Sequence, residues 1–247
     1  MTVSKAQIRI GTSGWLYPHW TGQFYPSDLA TKDFLACYAK RFSTVEVNST
    51  FYRLPQAETI VSWRSKTPDS FVFSCKISQF VSHRKKLKEP NLTLPPFLDR
   101  IRALGPKLGP ILVQLPPRWQ VNEPRLAAFL DALPADLRFA FEFRDRTWWT
   151  DGVFQLLRRH NAAFCQFDLA GTTSPPEQTA DFIYFRMHGP QEAYRGSYGD
   201  RPLQGLARSC LQWQAQGADI YGYFDNDENA YAVSDAIRLK KLLETEA

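Results

Sequence analysis

Glu46 and Asn48, Glu142 and Arg144, and Arg186 and His188 each stand two residues apart in short runs of β-branched and aromatic residues. In an extended chain that spacing puts both polar groups on one face. Lys76 ends a similar run, Gln114 lies near the end of another, Asp168 ends a third, and Asp225 and Asn226 follow a fourth. A carboxylate pair such as Glu46 and Glu142 can divide acid from base work, as in glycosidases. His188, just before Gly189-Pro190, is a further proton carrier. Lys76, Arg144, Arg186 and His188 form a cationic set suited to a phosphate or carboxylate. The expected catalytic residues are therefore Glu46, Glu142 and His188. The expected substrate-binding residues are Trp15, Asn48, Tyr52, Lys76, His83, Gln114, Arg144, Asp168, Arg186, Asp225 and Asn226. The competing reading is a buried charge network, in which Glu142 neutralises Arg144 or Arg186.

Eight runs must position these groups: Ile8–Gly11, Thr44–Asn48, Phe71–Lys76, Ile111–Leu115, Phe139–Arg144, Ala163–Asp168, Phe182–His188 and Ile220–Phe224. Each has strand composition. Between them, apolar residues recur at helical spacing over Asp28–Phe42, Ala57–Lys66, Pro95–Leu108, Glu123–Leu133, Asp151–His160, Leu203–Gln216 and Glu228–Leu243. The sixth connection, Leu169–Asp181, is too short and too rich in Thr, Ser and Pro for a full helix. The alternation predicts a single α/β domain over residues 1–247: a TIM (β/α)8 barrel of parallel strands with the sixth helix short or missing. A doubly wound open sheet is the alternative, because periodicity does not report closure.

The apolar set of each strand should face the helices. That phase sends Phe139, Phe141 and Phe143 out and Glu142 and Arg144 in, and likewise turns Lys76, Gln114, Gln166, Asp168, Tyr184, Arg186, His188, Glu46 and Asn48 inward. The eighth strand is ambiguous and delivers either Asp225 or Asn226. Charged groups at the C-terminal strand ends lie where TIM barrels carry their sites.

Composition sets bounds. The chain has 247 residues, net charge +5, 44% hydrophobic and 14% aromatic residues. The basic balance admits nucleic acid or another anion as partner. No apolar run reaches the ~18 residues of a membrane span, and no apolar signal core precedes Ile8, so a cytoplasmic chain without membrane association is expected. Cys37, Cys75, Cys165 and Cys210 are far apart and read as buried thiols in a reducing compartment. Oligomeric state is not encoded in any motif.

Several motifs divide between chemistry and structure. Gly11-Thr12-Ser13-Gly14-Trp15 is either an anion loop or a tight turn. Tyr17, Trp20, Phe24 and Tyr25 read as packing, while Trp15 and Tyr52 are kept as ligand contacts. The basic run from His83 to Lys88 is either a solvated face or a track for a phosphate backbone. Asp225-Asn226-Asp227-Glu228-Asn229 starts like a calcium loop but has Ala230 and Ala236 where Gly and Glu are needed. No resident cofactor is predicted. With four His in the chain, the metal site that remains open is a magnesium site on Glu46, Glu142, Asp168 and Asp225. The Tyr194–Gly199 segment is either a lid or a solvent loop.

A family resemblance rests on Gly11-Thr12-Ser13-Gly14-Trp15, Glu46-Val47-Asn48-Ser49-Thr50-Phe51-Tyr52, Gln114-Leu115-Pro116-Pro117, Glu142-Phe143-Arg144 with Trp148, Met187-His188-Gly189 and Tyr223-Phe224-Asp225-Asn226-Asp227. In this order, across nearly the whole chain, the blocks resemble those of the YecE-like family, domain of unknown function 72. The resemblance implies a TIM barrel of this length and no specific activity. Ser82-His83 stands where the family often has Thr-His. The functional expectation is a hydrolase or lyase acting by acid/base catalysis on a small polar anion such as a phosphorylated sugar or nucleotide. The alternatives are a non-catalytic nucleic-acid-binding barrel and a magnesium-dependent phosphodiester hydrolase.

Overall fold

Alternating β-branched and aromatic runs become nine strands in the computed structural model, which describes residues 6–246. They are β1 (Ile8–Thr12), β2 (Thr44–Val47), β3 (Val72–Lys76), β4 (Leu108–Leu115), β5 (Phe139–Phe143), β6 (Ala163–Leu169), β7 (Thr172–Thr173), β8 (Phe182–Met187) and β9 (Asp219–Phe224). The helices are α1 (Phe34–Tyr38), α2 (Ser49–Tyr52), α3 (Ala57–Ser65), α4 (Pro90–Thr93), α5 (Pro95–Ile101), α6 (Glu123–Asp131), α7 (Asp151–Arg159), α8 (Asp200–Ala215) and α9 (Tyr231–Glu246). The strands join in the order β1-β9-β8-β6-β5-β4-β3-β2, with β7 added to β6. This order follows the sequence with no reversal point. A doubly wound sheet requires such a point, so the fold is a TIM (β/α)8 barrel. The sixth connection holds no helix. In its place β7 pairs antiparallel with β6, Asp168 opposite Thr173.

Some boundaries differ from the sequence expectation. The helix expected over Pro95–Leu108 ends at Ile101 and gives way to a 3-10 turn, because Gly105 adopts φ 58° before Pro106. Strand β4 accordingly starts three residues earlier than expected. The first helix shortens to Phe34–Tyr38 after a 3-10 turn over Thr31–Asp33. Ser49–Tyr52, expected as loop, forms a helical turn.

Cα packing divides the chain into two compact units. One comprises Glu46–Cys165 and Pro175–Ala180. Its β3/β4, β4/β5 and β5/β6 pairs are parallel, with Lys76 beside Leu112, Gln114 beside Glu142 and Ala140 beside Ala163. Phe141 meets Phe129 of α6, Phe143 stacks on Trp148 at 5.0 Å, and Phe164 meets Phe154 of α7 at 5.2 Å. Each such buried ring stabilises the unit by roughly 1.5–3 kcal/mol. Lys107 is buried and donates to the carbonyls of Arg64 and Thr67, each at 2.7 Å, closing the C-terminus of α3 where a cation is favoured.

The other unit comprises Met1–Val45, Gln166–Ser174 and Asp181–Ala247. Parallel pairs β1/β9 and β8/β9 set Gly11 beside Tyr223 and Arg186 beside Tyr223. Tyr38 is its polar hub: its hydroxyl accepts from the Thr12 amide at 2.9 Å and donates to the Thr44 carbonyl at 3.1 Å. Trp20 and Tyr25 are buried, and Tyr25 stacks on Phe34 at 4.0 Å, so this aromatic loop packs as expected.

Candidate functional site

In the unit containing β3, β4 and β5, polar groups gather at the C-terminal strand ends. Glu46 and Glu142 are fully buried. Arg144 Nε donates to Glu142 Oε1, and Cys165 Sγ lies 3.9 Å from Glu142 Oε2. Gln114 is paired in register with Glu142. Asn48, expected as the last residue of the second strand, instead follows β2 at the N-cap position of α2, and its buried Oδ1 has no hydrogen-bond partner.

A second group stands on α2 and the turn after β3. Thr50 donates to the carbonyls of Val47 and Lys76, which fixes α2 against β3. Phe51 is thereby held between two ligand-type residues. Lys76 Nζ lies over its ring at 4.4 Å, and the His83 ring meets it edge-on at 4.9 Å. Burial, and secondarily the Lys76 charge, lower the His83 pKa below the usual imidazole value. His83 Nδ1 is 3.0 Å from Ser82 Oγ, which donates to the Ser78 carbonyl at 3.3 Å. The Ser82 hydroxyl has one proton: its donation to Ser78 goes with a ring proton on Nδ1 and a lone pair on Nε2, and its donation to Nδ1 goes with the reverse tautomer. Among the described residues Nε2 has no hydrogen-bond partner. Tyr52, beside Phe51, is 73% exposed.

The unit containing β8 and β9 carries its own cluster. Arg186 and His188 are buried. Asp225 Oδ2 accepts from Arg186 Nη2 at 3.0 Å and lies 2.9 Å from His188 Nδ1. Arg186 Nη1 is 3.3 Å from His188 Nε2, and Arg186 Nη2 reaches Ser13 Oγ at 3.3 Å. Both ring nitrogens of His188 are therefore engaged, unlike those of His83. The ambiguity of the last strand resolves: Asp225 joins Arg186 and His188. Asn226 turns the other way, donating from Nδ2 to Asp235 Oδ2 and the Gly196 carbonyl, each at 2.8 Å.

Two site expectations are corrected. The phase of β6 is the reverse of that expected. Phe164 faces α7, and Cys165 shares the Glu142 face, so Gln166 and Asp168 belong to the opposite one. Asp168 accepts from Tyr198 Oη at 2.9 Å and from Thr173 Oγ1 at 3.1 Å. Trp15 is buried beneath its loop, its carbonyl taken by Tyr25. Of the residues read as a magnesium set, Asp168 and Asp225 are engaged by the partners just named. Among the described residues no three His, Cys, Asp or Glu side chains converge to hold a metal.

The Tyr194–Gly199 segment is tied down rather than hinged. Ser197 Oγ and the Tyr198 amide donate to Asp235 at 2.7 and 2.9 Å, and Arg238 donates to the Tyr198 carbonyl at 2.7 Å. Nearby, burial raises the Asp227 carboxyl to about 6 despite the Trp20 indole donating to it at 2.7 Å. Phe51, Ser82, Cys165 and Tyr198 were not among the site residues expected from the sequence. The signal for the first two lay in their adjacency to Tyr52 and His83.

Fold and strand order define a TIM-barrel protein with polar clusters at the C-terminal ends of its strands. The chain matches the family model described as protein of unknown function DUF72 over residues 9–247, and it belongs to that family. UPF0759 protein YecE of Escherichia coli K12 is 34% identical over 146 residues. That match covers 59% of this chain and 51% of YecE, so the chain spans about half the length of that relative. UPF0759 protein YunF of Bacillus subtilis is 23% identical over 97% of this chain and 95% of its own. A crystal structure of a DUF72 family protein from Thermotoga maritima superposes with TM-score 0.88 at 28% identity, covering 96% of this chain and 99% of that one. A D-psicose 3-epimerase from Clostridium cellulolyticum reaches TM-score 0.59 at 9% identity, covering 96% and 98%, a likeness of fold alone. No helix among the described residues is long and apolar enough to cross a membrane.

Proposed function

We propose that this protein is an enzyme that moves a proton on a small polar anionic substrate, such as a phosphorylated sugar or nucleotide, in a hydrolase or lyase reaction. His83 is the general base. The observation that carries this reading is the chain from His83 Nδ1 through Ser82 to the Ser78 carbonyl, with Nε2 unpartnered among the described residues; the reading takes the tautomer that puts the lone pair on Nε2. A depressed pKa keeps that lone pair unprotonated at neutral pH, as a base requires.

The neighbours suit the role. Lys76, sharing the Phe51 ring with His83, supplies positive charge for the anion that forms when a substrate proton leaves. The orphaned Asn48 Oδ1 suits a substrate hydroxyl as donor. Glu142 fixes Arg144 by ion pairing, which favours a positioned guanidinium for substrate oxygen. In this reading Glu46, Glu142 and His188 support the site rather than take the first proton, and Gln114 stands beside Glu142 as a polar contact.

The test is a turnover screen against phosphorylated sugars and nucleotides, with wild type and His83→Asn compared on any substrate found. Loss of the base should lower kcat by about 100-fold or more. A kcat within a few-fold of wild type would remove His83 from the chemistry.

A further inference from the structure

Next to the turn that carries His83, the basic run does not form a solvated helix face. It wraps an open cleft of about 540 Å3, opposite the start of α6. That volume lies in the range of small-molecule sites. Arg84, Lys86, Lys88 and Arg125 line it, and none of the four has an ion pair among the described residues. The cleft's carboxylate, Glu89, is already held by Lys85 at 2.5 Å. Glu89 also feels the Lys88 charge, but five cations against one carboxylate leave the cleft strongly positive, which attracts an anion.

Backbone and aromatic features point the same way. Lys86, Leu87 and Glu89 all have positive φ, at 48°, 63° and 51°. Non-glycine residues hold such angles only where the surroundings impose them, and these cluster at ligand-clamping segments. Here Leu87 is buried and Arg125 Nη1 donates to the Lys86 carbonyl at 3.4 Å, fixing the loop. The cleft also contains the half-buried Trp119, braced edge-on by Trp148 at 5.2 Å, with Lys86 Nζ 5.8 Å from its ring centroid. Its indole N–H has no partner among the described residues. A purely electrostatic patch has no use for a braced indole; a base has.

We propose that this cleft is a nucleotide-binding site, with phosphates on Arg84, Lys86, Lys88 and Arg125 and the base stacked on Trp119. The nucleotide is either free or a unit of a single strand. Binding is independent of turnover at His83, so the two readings fail separately.

Calorimetric titration of the full chain with ADP, inorganic pyrophosphate and a single-stranded hexanucleotide tests it, in low salt and over a salt series. ADP should bind more tightly than pyrophosphate. Trp119→Ala should weaken ADP about tenfold or more, the scale of one lost stacking contact, and leave pyrophosphate unchanged. The exposed Lys88→Gln, which removes no packing, should weaken both and flatten the salt dependence. A hexanucleotide that binds more tightly than ADP identifies the strand as source, and equal binding identifies the free nucleotide. Equal binding of ADP and pyrophosphate, or no binding of ADP at low salt, overturns the proposal.

Discussion

Two histidines show how neighbours decide a side chain's chemistry. His188 ends a strand beside Arg186, and sequence alone made it the natural acid/base. In the fold its ring lies between Asp225 and Arg186, with both nitrogens occupied. His83, read in sequence as a binding residue at the head of a basic run, keeps one nitrogen unpartnered. Its orientation depends on a hydroxyl, so Ser82→Thr should preserve turnover and its pH profile. Ser82→Ala removes the Nδ1 acceptor and should lower kcat about tenfold, the scale of one neutral hydrogen bond near 1.4 kcal/mol. Equal activity in the two variants would mean that the hydroxyl positions nothing.

At the scale of elements, strands with one apolar and one polar face were readable. Phe139, Phe141 and Phe143 pack as a set, and Glu142 takes the other face, because period two leaves no choice. Strand β6 misled because both of its faces carry apolar groups: Phe164 packs on α7 while Cys165 and Phe167 lie on the opposite face. Polar Gln166 and Asp168 then gave the wrong phase. The end of α3 carries a testable feature that periodicity missed, since Lys107 reaches back from outside the helix to cap it. Lys107→Met keeps the stem but leaves the buried Thr67 carbonyl and the part-buried Arg64 carbonyl without their donor. It should destabilise the fold by about 1–3 kcal/mol, read as a lower urea midpoint. An unchanged midpoint would mean that water replaces the ammonium at no cost.

For the molecule as a whole, the βα rhythm predicted a TIM barrel with the sixth helix short or missing; the strand order bears out the barrel, and the sixth connection carries no helix. What rhythm cannot carry is which polar groups satisfy one another, because partners such as Asp225 and Arg186, or Asp235 and Tyr198, are distant in sequence. The tautomer and titration of His83 bear most directly on function. Its pKa is lower folded than unfolded, so as pH falls the unfolded chain takes up the proton first. Stability should therefore drop below about pH 6.5, and the base should be lost only at a still lower pH. The decisive measurement is the 15N chemical shift of both His83 ring nitrogens, followed through a pH titration of the wild-type protein. A neutral imidazole protonated on Nδ1, with a pKa below 6.5, is the expected result. Protonation on Nε2, or a pKa above that value, would contradict the assignment of His83 as the base.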